Sequence, residues 1–206
     1  MTKQSIYENF HQSPVTYFII LLVFAASSAG ILNRKLFYNG ILHPQSVVRD
    51  KQYYRIFTAD LMNADWLHLF LNEIMLYVFC THLEFTLRNK SPFGSIQFLI
   101  IYFASLAVGS AIITARHYKE FGYSTTGTSG SIMGCMFSFM LLDPDYIVFD
   151  LPETGPVKNI YAGLLYIIIL IIYQKRRKND IVNMEFHFYG AIGGILATLI
   201  LHPEIL

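Results

Sequence analysis

Apolar residues along this chain come in long blocks, not in the alternation of strands or the narrow stripe of a surface helix. Six blocks approach the roughly 20 mostly apolar residues that a helix needs to cross a bilayer. They run at about Val15–Leu32, Trp66–Phe85, Phe93–Ala115, Thr128–Leu142, Val157–Tyr173 and His187–Leu201. The pattern predicts an all-α, polytopic membrane protein of six spans, with residues 1–206 forming a single membrane domain. Polar punctuation separates the blocks: Asn89-Lys90-Ser91-Pro92, Asp143-Pro144-Asp145 and Lys175-Arg176-Arg177-Lys178. The fourth block is short and opens at Gly127-Thr128-Ser129-Gly130. A helix that starts at membrane depth needs protein or a water-filled cavity around its open end.

The long first connection, Asn33 to Asp65, mixes apolar residues (Leu36, Phe37, Tyr38, Ile41, Leu42) with charges (Arg49, Asp50, Lys51, Arg55). Such a segment is expected to lie at the bilayer surface. Tyr17–Ala26 followed by Ser27-Ser28-Ala29 also fits a signal-peptide core and cleavage site. Against that, Lys3 is the one nearby basic residue and the block is long enough to span.

Composition agrees with a bilayer environment. The chain is 54% hydrophobic and 14% charged, below the roughly 25% charge usual for soluble domains. A net charge of +1, with no basic arm, gives no case for nucleic acid. Cys80 and Cys135 sit inside apolar blocks and read as small hydrophobes. There is no His-Glu-x-x-His, which argues against a membrane zinc protease.

Polar side chains in the blocks carry the candidate chemistry, because each is costly in hydrocarbon. Ser129 alone would be an ordinary helix serine bonded back to a carbonyl. Gly130 and Gly134, and Gly190 and Gly194, are spaced for close helix packing. That packing would bring the fourth and sixth helices together and set Ser129 beside His187. A neutral imidazole there could take the serine proton, whereas an isolated His187 would read as an interfacial residue. No aspartate is placed to complete a triad, so a Ser-His dyad is the economical arrangement. His68 and Asn72 share one helix face. They either bond neighbouring helices or, with the Ser129 amide, form an oxyanion hole. Glu73 has no assigned role, and His82 and Glu84 read as interhelical or loop contacts.

Together these residues resemble the rhomboid intramembrane serine proteases in their compact six-span bacterial form. The matching motifs are Tyr54-Arg55, His68-Leu69-Phe70-Leu71-Asn72 with Glu84, Gly127-Thr128-Ser129-Gly130, and His187-Phe188-Tyr189-Gly190 with Gly194. The resemblance covers the chain from about Pro14 onward. It implies Ser129 as nucleophile, His187 as base, and His68, Asn72 and the Ser129 amide as oxyanion hole. Gly127, Gly130, Gly134, Gly190, Gly194, Arg55 and Glu84 would be supporting residues. It also implies single-span membrane proteins as substrates, a bacterial inner-membrane location, and no metal or other cofactor. Two positions depart from the pattern: Asn63 stands where many relatives have histidine, and Met133 where an aromatic often stacks on the catalytic histidine.

Orientation is contested. Eleven of the 15 Lys and Arg residues fall in the first, third and fifth connections, which the positive-inside rule would place in the cytoplasm. The family pattern places those connections outside. Two other functions compete with proteolysis. A non-enzymatic rhomboid-like protein that binds transmembrane helices would usually lack the serine or the histidine. A small transporter would show several lining charges or broken helices in repeated halves.

Overall fold

The computed structural model describes residues 11–151, 155–176 and 184–205. The chain is mostly helical. Helix α1 spans Pro14–Leu32, and the first connection folds into α2 (Arg34–Gly40), α3 (Pro44–Arg49), α4 (Arg55–Thr58) and a 3-10 turn at Ala59–Leu61. The next helical segment runs from Trp66 to Lys90 as α5 (Trp66–Met75), a π turn (Leu76–Cys80) and α6 (Thr81–Lys90). Then come α7 (Gly94–His117), α8 (Ser129–Leu142), a two-stranded hairpin, α9 (Asn159–Arg176) and α10 (Met184–Leu201).

Among the described residues, three helices are long and apolar enough to cross a membrane: Pro14–Leu32, Gly94–His117 and Met184–Leu201. This is an integral membrane protein. Its outer faces carry bare apolar side chains such as Phe18, Leu21, Phe70 and Ile200, which suit lipid and would be a liability in water. The other three expected spans are also helical. The second is interrupted by the π turn, the fourth is short, and the apolar part of the fifth is Asn159–Ile169.

Several expected boundaries move. α10 begins at Met184, so His187 lies within its first turn and is not its opening residue. Val157 and Lys158, the former expected to open a span, belong instead to strand β2. The all-α expectation is corrected by β1 (Ile147–Leu151) and β2 (Gly155–Lys158), which pair antiparallel with Phe149 opposite Val157. β-branched and aromatic residues at Ile147, Val148 and Phe149 favour extended backbone, and Gly155 takes φ +80°, which few other residues adopt. The fifth helix runs to Arg176; Arg177 and Lys178 of the basic cluster lie outside the described residues.

Glu84 anchors α1. Its carboxylate accepts from the amides of Val15 (3.3 Å) and Thr16 (2.8 Å), and from the hydroxyls of Thr16 (2.8 Å) and Ser95 (2.6 Å). Those amides are in the first turn of α1, where no intrahelical acceptor exists and a negative charge is favoured. Arg55 does the same work for the first connection. Its Nη1 donates to the carbonyls of Tyr38 (2.9 Å) and Ile41 (2.8 Å), and its Nε to Gln52 Oε1 (2.6 Å). The guanidinium thereby ties the end of α2 to the start of α4.

The centre of the molecule is glycine-packed. α10 lies against α7 and α8, and a Cβ on Gly190 would overlap the Gly130 carbonyl. One on Gly194 would overlap the Gly134 backbone. Small residues allow this approach, and short hydroxyls hold it: Thr198 Oγ1 donates to Ser138 Oγ at 2.6 Å, and Ser138 Oγ to the Gly134 carbonyl at 2.7 Å.

Candidate active site

Gly127 precedes α8 with φ +116°, a conformation that a side chain would strain. A Cβ there would also meet His68 Cε1 at 2.7 Å. This turn delivers Ser129 as the first residue of α8, where the backbone amides have no intrahelical acceptor and point toward incoming negative charge. Ser129 Oγ lies 2.5 Å from His187 Nε2 across the α8–α10 contact, and both residues are buried. His187 Nδ1 has no hydrogen-bond partner among the described residues. Among the described residues the contact is therefore a pair, with no carboxylate orienting the imidazole from behind.

His68 and Asn72 both face inward from α5 and are buried. Asp65 caps α5 by accepting from the His68 amide at 2.9 Å. The Ala64 amide donates to His68 Nδ1 at 3.3 Å, which places the ring proton on Nε2. The ring edge carrying it lies beside Gly127, where a Cβ would stand 3.1 Å from His68 Nε2 and 3.5 Å from Ser129 Oγ. Asn72 belongs to a polar chain that runs Tyr166 to Asn72 to Asn63 to Ser27. Tyr166 Oη donates to Asn72 Oδ1 (3.3 Å), Asn72 Nδ2 to Asn63 Oδ1 (2.6 Å), and Asn63 Nδ2 to Ser27 Oγ (2.8 Å). One Asn72 amide proton is thus held by Asn63. Asn63, where relatives often carry histidine, is a buried link in this chain.

Asp60 is the functional-region residue that the sequence reading missed. It sits on the 3-10 turn of the first connection and is buried. Its carboxylate accepts from Tyr102 Oη (2.5 Å) and Ser131 Oγ (2.6 Å), and its backbone carbonyl from Thr128 Oγ1 (2.7 Å). The Ala59 carbonyl accepts from the Gly127 amide at 3.1 Å, and Thr126 Oγ1 donates to the Met62 carbonyl at 2.7 Å. The first connection therefore grips the tetrad on both sides of Ser129. Burial pushes the Asp60 carboxyl up to about 6, against the opposing hydrogen bonds from Ser131 and Tyr102. A lone carboxylate in a mixed loop carried little signal beyond its place a few residues before Asn63.

Phe186 was missed as well. Its ring lies against both Gly109 and Gly130, so it fills the wedge between α7, α8 and α10 directly beside His187. Met133 is buried on α8. Cys80 and Cys135 are free and buried. Among the described residues no group of three His, Cys, Asp or Glu side chains could hold a metal ion.

A helical membrane protein with a serine at a glycine-turned helix start, paired to a histidine on a glycine-packed neighbour, is the class these features define. The chain belongs to the rhomboid family: the family model for the Rhomboid domain matches residues 50–204. It is also similar to a Bacillus subtilis (strain 168) protein named "Putative rhomboid protease YdcA". The two are 25% identical over 155 residues, covering 74% of this chain and 69% of the relative.

Proposed function

We propose that this chain is an intramembrane serine endopeptidase that uses a Ser129–His187 dyad on single-span membrane proteins. The observation that carries the reading is the 2.5 Å approach of Ser129 Oγ to His187 Nε2, in a protein whose family and long apolar helices place it in a membrane. In this reading the chain crosses the bilayer six times, in a bacterial inner membrane, with α8 shortened because its start lies in the protein interior.

His187 Nε2 takes the Ser129 proton as Oγ attacks the scissile carbonyl carbon. The carbonyl π pair moves onto oxygen, and the resulting oxyanion is held by the Ser129 amide, His68 Nε2–H and the second Asn72 amide proton. Collapse breaks the C–N bond, and His187 returns the proton to the leaving amine. Water, deprotonated by the same imidazole, then cleaves the acyl-enzyme. Ser129 is buried in this conformation, so a substrate strand reaches it only when a covering element moves. The Tyr166–Asn72 hydrogen bond, joining α9 to α5, is one contact that such a movement would break.

The test is covalent labelling by a fluorophosphonate in detergent, read beside cleavage of a single-span test substrate. Labelling mapped to Ser129 and lost in Ser129→Ala is the expected result. Full-length, folded protein that neither labels nor cleaves would instead favour a helix-binding role without catalysis.

A further inference from the structure

Between α1 and α5 lies an open groove of about 460 Å³, floored by Leu69 and walled by Leu21, Phe24, Trp66 and Phe70. It is apolar except for Glu73, whose Oε1 is buried with no hydrogen-bond partner among the described residues. Glu73 follows Asn72 by one position, so it points about 100° away from it around α5 and into the groove, and it plays no part in the proposed chemistry. A carboxyl group in such a place is costly, and intramembrane ionisable residues mark functional contacts.

We infer that this groove docks a transmembrane helix of another protein that carries a Lys or Arg near mid-bilayer, with Glu73 as its counter-ion.

Depth selects the occupant. Glu73 stands seven residues into α5 from Trp66, a rise of about 10 Å, which approaches the middle of a hydrocarbon core about 30 Å thick. Trp66 at the helix start suits the interface. A lipid headgroup stays at that interface, and an acyl chain offers the carboxyl no donor. A second copy of this chain does not fit either. Its Lys and Arg residues in the described long helices are confined to helix ends, at Arg88, Lys90, Arg116, Lys175 and Arg176. The two histidines of the same helical segment are engaged elsewhere: His68 with Ala64 at the serine site, and His82 with the Val78 carbonyl and the Phe139 ring. What remains is a helix from a different protein whose cation is buried by entering the groove.

The inference stands independently of proteolysis, and its test removes cleavage altogether. Ser129→Ala protein, acceptor-labelled and reconstituted in phosphatidylcholine vesicles, is titrated with donor-labelled Leu/Ala transmembrane helices. These carry Lys, Leu or Asp at the central position. The Lys helix should bind about fivefold or more tightly than the Leu helix, the scale of one interhelical polar contact. Adding Glu73→Gln should erase that preference, and adding Glu73→Lys should transfer it to the Asp helix. Equal binding of the Lys and Leu helices to the Glu73 protein would overturn the inference. So would a Lys preference that survives in Glu73→Gln, or an Asp helix that gains nothing from Glu73→Lys. Should either variant melt below the parent, the Lys–Leu comparison on Glu73 protein still decides.

Discussion

Gly190 lies against the carbonyl of Gly130 more closely than any Cβ would permit, and His187 stands one turn before Gly190 on the same helix. The distance between Ser129 and His187 is therefore set by a backbone contact between α8 and α10. One turn further along, Gly194 meets Gly134 in the same way.

Gly194→Leu should accordingly do two things at once. Overpacking a tight contact costs about 1–3 kcal/mol, and here the obstacle is backbone that cannot rotate aside. The melting temperature in detergent should fall, and fluorophosphonate labelling should fall further as the pair separates. An unchanged melting temperature would show that α10 can tilt off α8 without loss.

The three hydroxyls around the tetrad should separate cleanly. Ser131 and Thr128 donate to Asp60, whereas Ser129 meets His187. Ser131→Ala should lower stability by about 1 kcal/mol, the net worth of one hydrogen bond, and keep its labelling. Ser129→Ala should lose labelling and cleavage with its melting temperature intact. The opposite pattern would move the nucleophile to Ser131.

The glycine pairs, the tetrad and the two histidines could be read from the chain because each depends on short spacing within one helix, and helix periodicity converts spacing into a face. The rest depended on contacts between distant segments. Asp60 matters through Ser131, 71 residues away, and Tyr102, 42 residues away, and no local pattern announces such a meeting. Phe186 looked like one more apolar residue until Gly109 and Gly130 left room for its ring. The hairpin was hidden because Val157 continues the hydrophobic run of α9, and a period-2 signal only a few residues long is lost beside it.

Asp60 should impose a pH dependence on stability. Its carboxyl is raised from the ordinary 3.8 to about 6, chiefly by burial. A group raised on folding contributes stability that is fully present below its unfolded value and is lost as pH rises through its folded value. A shift of this size is worth at most about 3 kcal/mol. Between about pH 4 and 7 the wild-type protein should thus lose stability relative to Asp60→Asn, which cannot ionise but keeps one acceptor for Tyr102 or Ser131. Thermal melts of both proteins across that range would show converging or crossing curves. Parallel curves would assign the pH dependence to other groups.

The two imidazoles beside Ser129 should prove to have different duties. His187 Nε2 faces the hydroxyl directly, so His187→Ala should abolish both labelling and turnover by removing the proton acceptor. His68 has its Nδ1 occupied by the Ala64 amide and therefore presents a donor, which is useless for accepting the serine proton and suited to an oxyanion. His68→Ala should leave the hydroxyl activated while turnover falls by about 10²–10³, the usual cost of one oxyanion donor. Asn72→Ala should cost turnover too, and it should also lower stability, because Asn72 links Tyr166 to Asn63. Measuring labelling rate, turnover and melting temperature for the three variants separates these outcomes. If His68→Ala erased labelling while His187→Ala retained it, the base and the donor would have to exchange places, and the 2.5 Å contact would be a packing contact only.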